Sequence, residues 1–240
     1  MPLDALSNGK NKLPSMIRAI FFDCNGVIAD DEPIHMKLFQ KVLQEENILL
    51  TEKDYFEKYL AMDDRSCFTE ALKNEKKAHS PKKVQTLIQR KAQYYQKIIQ
   101  NELKIFPGVT TFVQQHQTQY IMAVVSGALR NEINLILKTA NILSAFSTII
   151  SAEDVQNGKP NPEGYLLAYH QIKKLNTFRE HPLLKHECVA IEDSIHGVDS
   201  AQTAGMKCIA ITNSYSKNEL KHADLIVSSL EKLNLNTITL

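Results

Sequence analysis

The sequence predicts an α/β fold in which a parallel sheet covered by helices is split by an all-helical insertion. Helical patterns separate most of the short apolar runs, and strand–helix alternation is typical of a parallel sheet with helices on its faces. Only helical patterns lie between the first run and the second, so this block is predicted to be an insertion. The candidate strands are residues 17–22, 121–125, 147–150, 188–191, 207–211 and 225–227.

The insertion is predicted to contain four helices. Acidic residues and Pro33 suit the start of the first helix, after which apolar residues recur at helical spacing. Residues 52–60 and 65–77 are helical by pattern, and Ser80 with Pro81 suits the start of a long amphipathic helix. The predicted domains are a flexible tail (1–15), a core (16–29 and 104–240) and a helical cap (30–103).

The composition is that of an ordinary globular protein, with 43% hydrophobic and 23% charged residues among 240. A formal net charge of +1 provides no general attraction to nucleic acid or to anionic membranes. The four cysteines form no C-x-x-C pair, and the sequence contains neither a signal-peptide core nor an apolar stretch of about 20 residues. We expect a cytoplasmic monomer that binds neither nucleic acid nor membrane.

Four strand ends of the predicted sheet domain carry polar residues of matching chemistry. In open α/β sheets, ligands bind beyond the carboxyl ends of the strands, so these residues are expected to meet. Each of them alone is more often a turn, a solvated charge or a helix cap. Together they supply a nucleophilic carboxylate, hydrogen-bond donors, a cation and oxygen ligands suited to Mg²⁺, which phosphoryl transfer requires. They are Asp23, Ser126 with Gly127, Lys159, and Glu192 with Asp193.

The order and spacing of these motifs resemble the haloacid dehalogenase superfamily. The motifs are D-x-x-G-V from Asp23, S-G at Ser126, G-K-P-x-P around Lys159 and E-D-S-x-x-G-V from Glu192. The similarity covers about residues 16 to 230 and is greatest to the branch of β-phosphoglucomutase and phosphoglycolate-type phosphatases. It implies a Rossmann-like core with a mobile helical cap, and a Mg²⁺-dependent phosphatase-type hydrolase that acts on a small phosphorylated metabolite.

The resemblance also implies roles for individual residues. Asp23 would attack phosphorus and form an aspartyl phosphate, while Ser126 and Gly127 hold the phosphoryl oxygens and Lys159 offsets charge. Mg²⁺ would bind Asp23, the backbone carbonyl of Asn25 and Asp193, with Glu192 a direct or water-mediated neighbour. In the cap, Arg65 is expected to contact the substrate, and a surface arginine that begins a helix is the alternative.

Asn25 departs from the family pattern, which has an aspartate at this position as general acid and base. An amide has no proton to exchange near neutral pH, and the loss of a general acid costs about 10²- to 10⁴-fold in rate. We therefore expect weakened turnover. The sequence leaves open whether Asn25 marks a natural variant, an introduced substitution or a non-catalytic phosphometabolite-binding protein, and a β-phosphoglucomutase-like phosphomutase is a further alternative.

Overall fold

The computed structural model describes residues 17–60 and 62–235, and the predicted tail 1–15 lies outside them. Within these ranges, six strands form one sheet in the order β3-β2-β1-β4-β5-β6, and every adjacent pair is parallel. All six predicted strands and the predicted Rossmann-like fold class are confirmed. The strands are β1 (Ala19–Phe22), β2 (Ile121–Val125), β3 (Phe146–Ile150), β4 (Cys188–Glu192), β5 (Lys207–Ile211) and β6 (Leu225–Val227).

The central strands β1 and β4 are apolar up to Glu192 at the end of β4, because helices cover both faces of the sheet. Residues of β1 alternate between two hydrophobic clusters, with Ile20 and Phe22 in one and Ala19 and Phe21 in the other. This alternation follows from the two-residue period of a strand. The described helices are α1 (Glu32–Glu45), α2 (Glu52–Asp54), α3 (Asp64–Asn74), α4 (Pro81–Glu102), α5 (Val109–His116), α6 (Arg130–Thr139), α7 (Glu163–Ile172) and α8 (Ile195–Thr203).

The helical cap consists of α1 to α4, which follow β1 and precede β2. Helix α2 continues as a π-helical turn over Tyr55–Tyr59, so the helix predicted at 52–60 is irregular. Helix α3 ends before the predicted residue 77 because Lys76 adopts a left-handed conformation with φ of 52°. No helix in the described ranges has the length and apolar character needed to span a bilayer. The exact domain boundaries stay a prediction.

The cap has a hydrophobic core of its own, separate from the two clusters on the faces of the sheet. Phe39 and Leu43 of α1 pack there against Phe68 of α3, and Leu87 contributes to the same cluster from α4. The rings of Phe39 and Phe68 meet edge to face at 5.0 Å between centroids. The cap is therefore a packed unit that can present a defined surface to the sheet.

We expect Leu87→Ala to lower the free energy of unfolding by about 2–5 kcal/mol, because a fully buried leucine leaves a cavity when truncated. The matched control is Leu49→Ala, since Leu49 is 84% exposed in the same cap, and its cost should stay within about 0.5 kcal/mol. Denaturant unfolding, with hydrogen exchange to localise the change to the cap, measures both. Equal effects of the two variants would contradict the packing described.

Candidate active site

The candidate site lies at the carboxyl edge of the sheet, where β2, β1 and β4 are neighbours. Asp23 follows β1, Ser126 follows β2 and Asp193 follows β4, so the strand order itself brings these residues together. Lys159 reaches the same place from the loop after β3. All four side chains line one cavity of about 120 Å³ between core and cap, which we call the inner cavity.

Lys159 is held between two carboxylates. Its Nζ donates to Asp23 Oδ1 at 2.7 Å and to Glu192 Oε1 at 2.6 Å. Burial lowers the pKa of Lys159, but the two carboxylates outweigh burial and raise it above its usual value. Glu192 Oε1 also accepts from the Tyr165 hydroxyl at 2.6 Å, a contact that sequence reasoning missed because Tyr165 lies in no motif.

The three carboxylates at this edge are close enough to share a cation. Asp23, Glu192 and Asp193 each offer an oxygen within 4.8 Å of the others. Burial raises the pKa of Asp23 to about 6, although Lys159 opposes the shift. Burial and then the neighbouring carboxylates raise the pKa of Asp193 well above its usual value. This excess of buried negative charge fits a divalent cation with oxygen ligands.

Gly26 allows the first loop to lie directly against Asp193. Its φ is +80°, and a Cβ atom at this position would lie 1.9 Å from Asp193 Oδ2. Asn213 Nδ2 donates to the Gly26 carbonyl at 2.7 Å, and the Ser214 hydroxyl donates to Asp193 Oδ2. The glycine of D-x-x-G-V is therefore required by space as well as by backbone conformation.

The last motif has an equally local explanation. Ser194 caps α8, since its Oγ accepts from the Gly197 N–H at 3.0 Å. A Cβ atom at position 197 would lie 1.9 Å from Glu192 Oε2, so only glycine leaves room for this buried carboxylate. Glu192 is fully buried and does not line the inner cavity, whereas Asp193 does. The geometry thus places Glu192 behind Asp23 and Lys159.

The predicted phosphate-binding residues place a hydroxyl and one unpaired N–H at the cavity wall. The Ser126 backbone N–H donates to the Ile150 carbonyl at 3.0 Å. Ser126 lines the inner cavity, and its hydroxyl donates to Asn25 Oδ1 at 3.3 Å. The Gly127 N–H has no hydrogen-bond partner among the described residues, and Gly127 is exposed. A hydroxyl and an unpaired N–H beside Asp23 suit the oxygens of an anion.

The Asn25 side chain is bound by residues that sequence reasoning did not assign to the site. Its Nδ2 donates to Asp31 Oδ2 at 2.7 Å and lies 3.1 Å from His35 Nε2. Asp31 is fully buried and also accepts from the Tyr95 hydroxyl at 2.5 Å. The sequence contains one signal for this contact: Asp31 stands four residues before His35 at the start of a helix. This pattern predicts a helix start and does not by itself indicate a site.

Asp31 explains why an amide is accommodated at position 25. Burial raises the pKa of Asp31, but the electrostatic interaction with His35 and hydrogen bonds from His35, Tyr95 and Asn25 together hold it below its usual value, so the carboxyl is ionised. An aspartate at position 25 would place a second carboxylate oxygen where Nδ2 now lies, 2.7 Å from Asp31 Oδ2. The Asn25 amide is therefore complementary to this chain's own Asp31.

The same group of residues connects the core to the cap. His35 Nδ1 lies 2.7 Å from Lys91 Nζ, and Lys91 is fully buried on α4. Lys91 also donates to Asp64 Oδ1 of α3 at 2.6 Å. Because the ammonium donates to Nδ1, Nε2 carries the proton that His35 donates to Asp31 at 3.1 Å. Asn25, Asp31 and three cap residues thus form one continuous polar chain.

A second cavity, the outer cavity, has a volume of about 320 Å³ and adjoins the inner one. The two share Ser126, Gly127 and Lys159 among their lining residues. Arg65 of α3 is exposed and lines the outer cavity, a position compatible with substrate contact and equally with a surface arginine that begins a helix. Arg130 instead pairs with Asp154 and lines neither cavity.

Comparison with known proteins finds relatives over most of the chain. Phosphorylated carbohydrates phosphatase of Thermotoga maritima is 26% identical over 197 residues, which are 80% of this chain and 84% of that protein. SUPPRESSOR OF QUENCHING 1 of Arabidopsis thaliana is 29% identical over 227 residues, 92% of this chain, but this chain spans only 20% of that protein's length.

The fold is similar to the crystal structure of β-phosphoglucomutase from Clostridium difficile. The TM-score is 0.77 at 24% sequence identity, and the match covers 92% of this chain and 95% of that one. A family model described as haloacid dehalogenase-like hydrolase matches residues 20–211, which include the cap and all four motifs. The chain therefore belongs to the haloacid dehalogenase-like hydrolases, as its motifs predict.

Proposed function

We propose that this protein is a Mg²⁺-dependent phosphatase that hydrolyses a small organic phosphate through an aspartyl phosphate on Asp23. The observation that carries the proposal is the position of Asp23, which contacts Lys159 and lies beside Asp193, Ser126 and Gly127 in one cavity. The chain is a hydrolase by family, and a phosphatase among its relatives supports the class of phosphoric monoester hydrolase. Cytoplasmic location and a monomeric state stay predictions.

In the first step, an Asp23 carboxylate oxygen attacks phosphorus, and the bond from phosphorus to the ester oxygen breaks. Ser126 Oγ and the Gly127 N–H bind the phosphoryl oxygens, and Lys159 offsets the charge that develops between nucleophile and phosphate. Bound Mg²⁺, held by Asp23, Asp193 and the Asn25 carbonyl, would neutralise phosphoryl charge. Water then cleaves the aspartyl phosphate, which releases inorganic phosphate and restores Asp23.

The step that this site performs poorly is protonation of the leaving oxygen. The Asn25 amide donates to Asp31 and accepts from Ser126, and its N–H protons are too weakly acidic to be transferred to a leaving oxygen near neutral pH. Hydrolysis is expected to be slow for substrates that leave as alkoxides. A phosphomutase and a non-catalytic phosphometabolite-binding protein remain the alternatives, and the experiments below distinguish them by product and by turnover.

We expect Asp23→Ala to abolish turnover of every phosphate ester tested, because the nucleophile and one predicted metal ligand are lost together. Excess chelator should likewise abolish the activity of the unmodified chain, and added Mg²⁺ should restore it. Phosphate release measures both effects. Asp199→Ala is the matched control, since Asp199 lies on α8 and lines neither cavity. Turnover by Asp23→Ala, or full activity in chelator, would contradict the mechanism.

We expect the double variant Asn25→Asp/Asp31→Asn to accelerate hydrolysis of sugar phosphates by about 10²- to 10⁴-fold. The variant places a carboxyl at position 25 and an amide at position 31, so the new carboxyl does not face a second one. Aryl and acyl phosphates should gain less, since their leaving groups are stable anions. Phosphate release from matched alkyl and aryl esters measures the difference.

The single variants are the controls for this exchange. Asn25→Asp should melt at a lower temperature than the double variant, because a half-buried carboxyl 2.7 Å from the fully buried Asp31 cannot ionise together with it. Asp31→Asn alone should not accelerate any substrate, since position 25 still lacks a proton donor. A double variant that hydrolyses sugar phosphates no faster than the unmodified chain would show that the acid is supplied elsewhere.

A further inference from the structure

The inner cavity is lined by four carboxylates besides Asp23 and Asp193: Glu32, Asp63, Asp64 and Glu132. The first three belong to the cap, at the starts of α1 and α3, so the organic group of a bound phosphate ester would lie against this acidic wall. Lys159 is the only lysine or arginine among the described residues that lines the inner cavity, and its ammonium already binds Asp23 and Glu192. The wall facing the leaving group therefore carries mainly negative charge.

Two of these carboxylates have no cation to neutralise them. Glu32 accepts from the Tyr55 hydroxyl at 2.5 Å, and Asp63 caps α3 by accepting from the Ser66 N–H at 2.7 Å. Neither has an ion-pair partner within the described parts of the chain. Their negative charge remains available to whatever enters the cavity.

The other two carboxylates are enclosed more deeply. Glu132 is 2% exposed, and its Oε2 accepts only a long hydrogen bond of 3.4 Å from the Leu129 N–H. Glu132 Oε1 is buried without a partner in the described ranges, as is Asp64 Oδ2, while Asp64 Oδ1 binds Lys91. A ligand in the cavity does not reach these two buried oxygens, so the acceptors that the wall presents to it are those of the half-buried Glu32 and Asp63.

We propose that the substrate's organic group carries hydroxyl or ammonium donors and no second anionic group, as in a phosphorylated amino alcohol, amino sugar or polyol. This inference rests on the proposed phosphatase function, because it assumes that the phosphoryl group lies at Asp23. Hydroxyl and ammonium groups satisfy the acceptors on the wall. A carboxylate or a second phosphate there would face Glu32 and Asp63 as like charges.

The outer cavity does not reverse this preference. Arg65 lines it, but Asp63, Asp64 and Glu153 line it as well, so carboxylates outnumber the arginine. Lys159 lines it too, but Asp23 and Glu192 already hold its ammonium, and the rest of the wall is apolar or uncharged and includes Ile88 and Gln89 of α4. With a volume of about 320 Å³, this space can accept the remainder of a small organic group.

The test uses three phosphate esters of nearly equal size that differ in one terminal group: 2-aminoethyl phosphate, 2-hydroxyethyl phosphate and phosphoglycolate. With Mg²⁺ at constant ionic strength, kcat/KM should fall in that order, by about tenfold or more between the ammonium and the carboxylate ester. Added salt should reduce the difference. Equal values would overturn the proposal. A preference for phosphoglycolate would overturn it as well and would favour Arg65 as an anion-binding residue.

Glu32→Gln identifies the origin of the preference. Glutamine can still accept from Tyr55, so the variant removes charge with little change of shape. The ratio of kcat/KM between the ammonium and carboxylate esters should fall about threefold or more. Glu57→Gln is the matched control, because Glu57 is exposed on the π-helical turn of the same cap and lines neither cavity. An unchanged ratio in Glu32→Gln, or an equal fall in Glu57→Gln, would contradict the assignment.

A binding measurement separates failure of this inference from failure of the proposed function. If none of the three esters is hydrolysed, the phosphatase proposal fails for them, and calorimetry with the same ligands, Mg²⁺ and the unmodified chain becomes the readout. The ammonium ester should then bind most tightly and phosphoglycolate least. The opposite order of dissociation constants, or three equal ones, would overturn the inference whether or not turnover occurs.

Discussion

The contacts of Lys159 with Asp23 and Glu192 are the interaction on which the candidate site depends. Three carboxylates lie within 4.8 Å of one another at the edge of the sheet, and this amount of buried negative charge is unfavourable without a cation. Lys159 supplies one positive charge at 2.7 Å from Asp23, and Tyr165 supplies a further donor to Glu192. The remaining negative charge lies at Asp23 and Asp193, where a divalent ion can bind both.

The second constraint is which of the two neighbouring side chains, at position 25 or at position 31, carries the negative charge. In this chain the ionised carboxyl lies at Asp31, and Asn25 is the amide that binds it. The contact cannot be judged from Asn25 alone, because an isolated amide at this position indicates only a missing acid. Since Asp31 continues through His35 to the buried Lys91 of the cap, the environment of position 25 depends on how cap and core pack together.

Sequence reasoning located the fold and most of the candidate site because both depend on local patterns. Short apolar runs separated by helical patterns predict strands, and a parallel sheet brings the ends of β1, β2 and β4 to one edge, so Asp23, Ser126 and Asp193 could be placed together. The end of α3 and the π-helical turn after α2 were not predictable in the same way. They depend on one left-handed residue and on packing within the cap.

By itself, the sequence determined the order of elements, the four motifs and the identity of the nucleophile expected at Asp23. Only the tertiary structure decided that Asp31, His35, Lys91 and Tyr165 belong to the site's surroundings and that Glu192 lies behind it. His35, Lys91 and Tyr165 lie on helices whose orientation relative to the sheet is set by burial of whole faces rather than by nearby sequence. Contacts between distant helix faces leave no motif, and for that reason the wall opposite Asp23 became visible only in the folded chain.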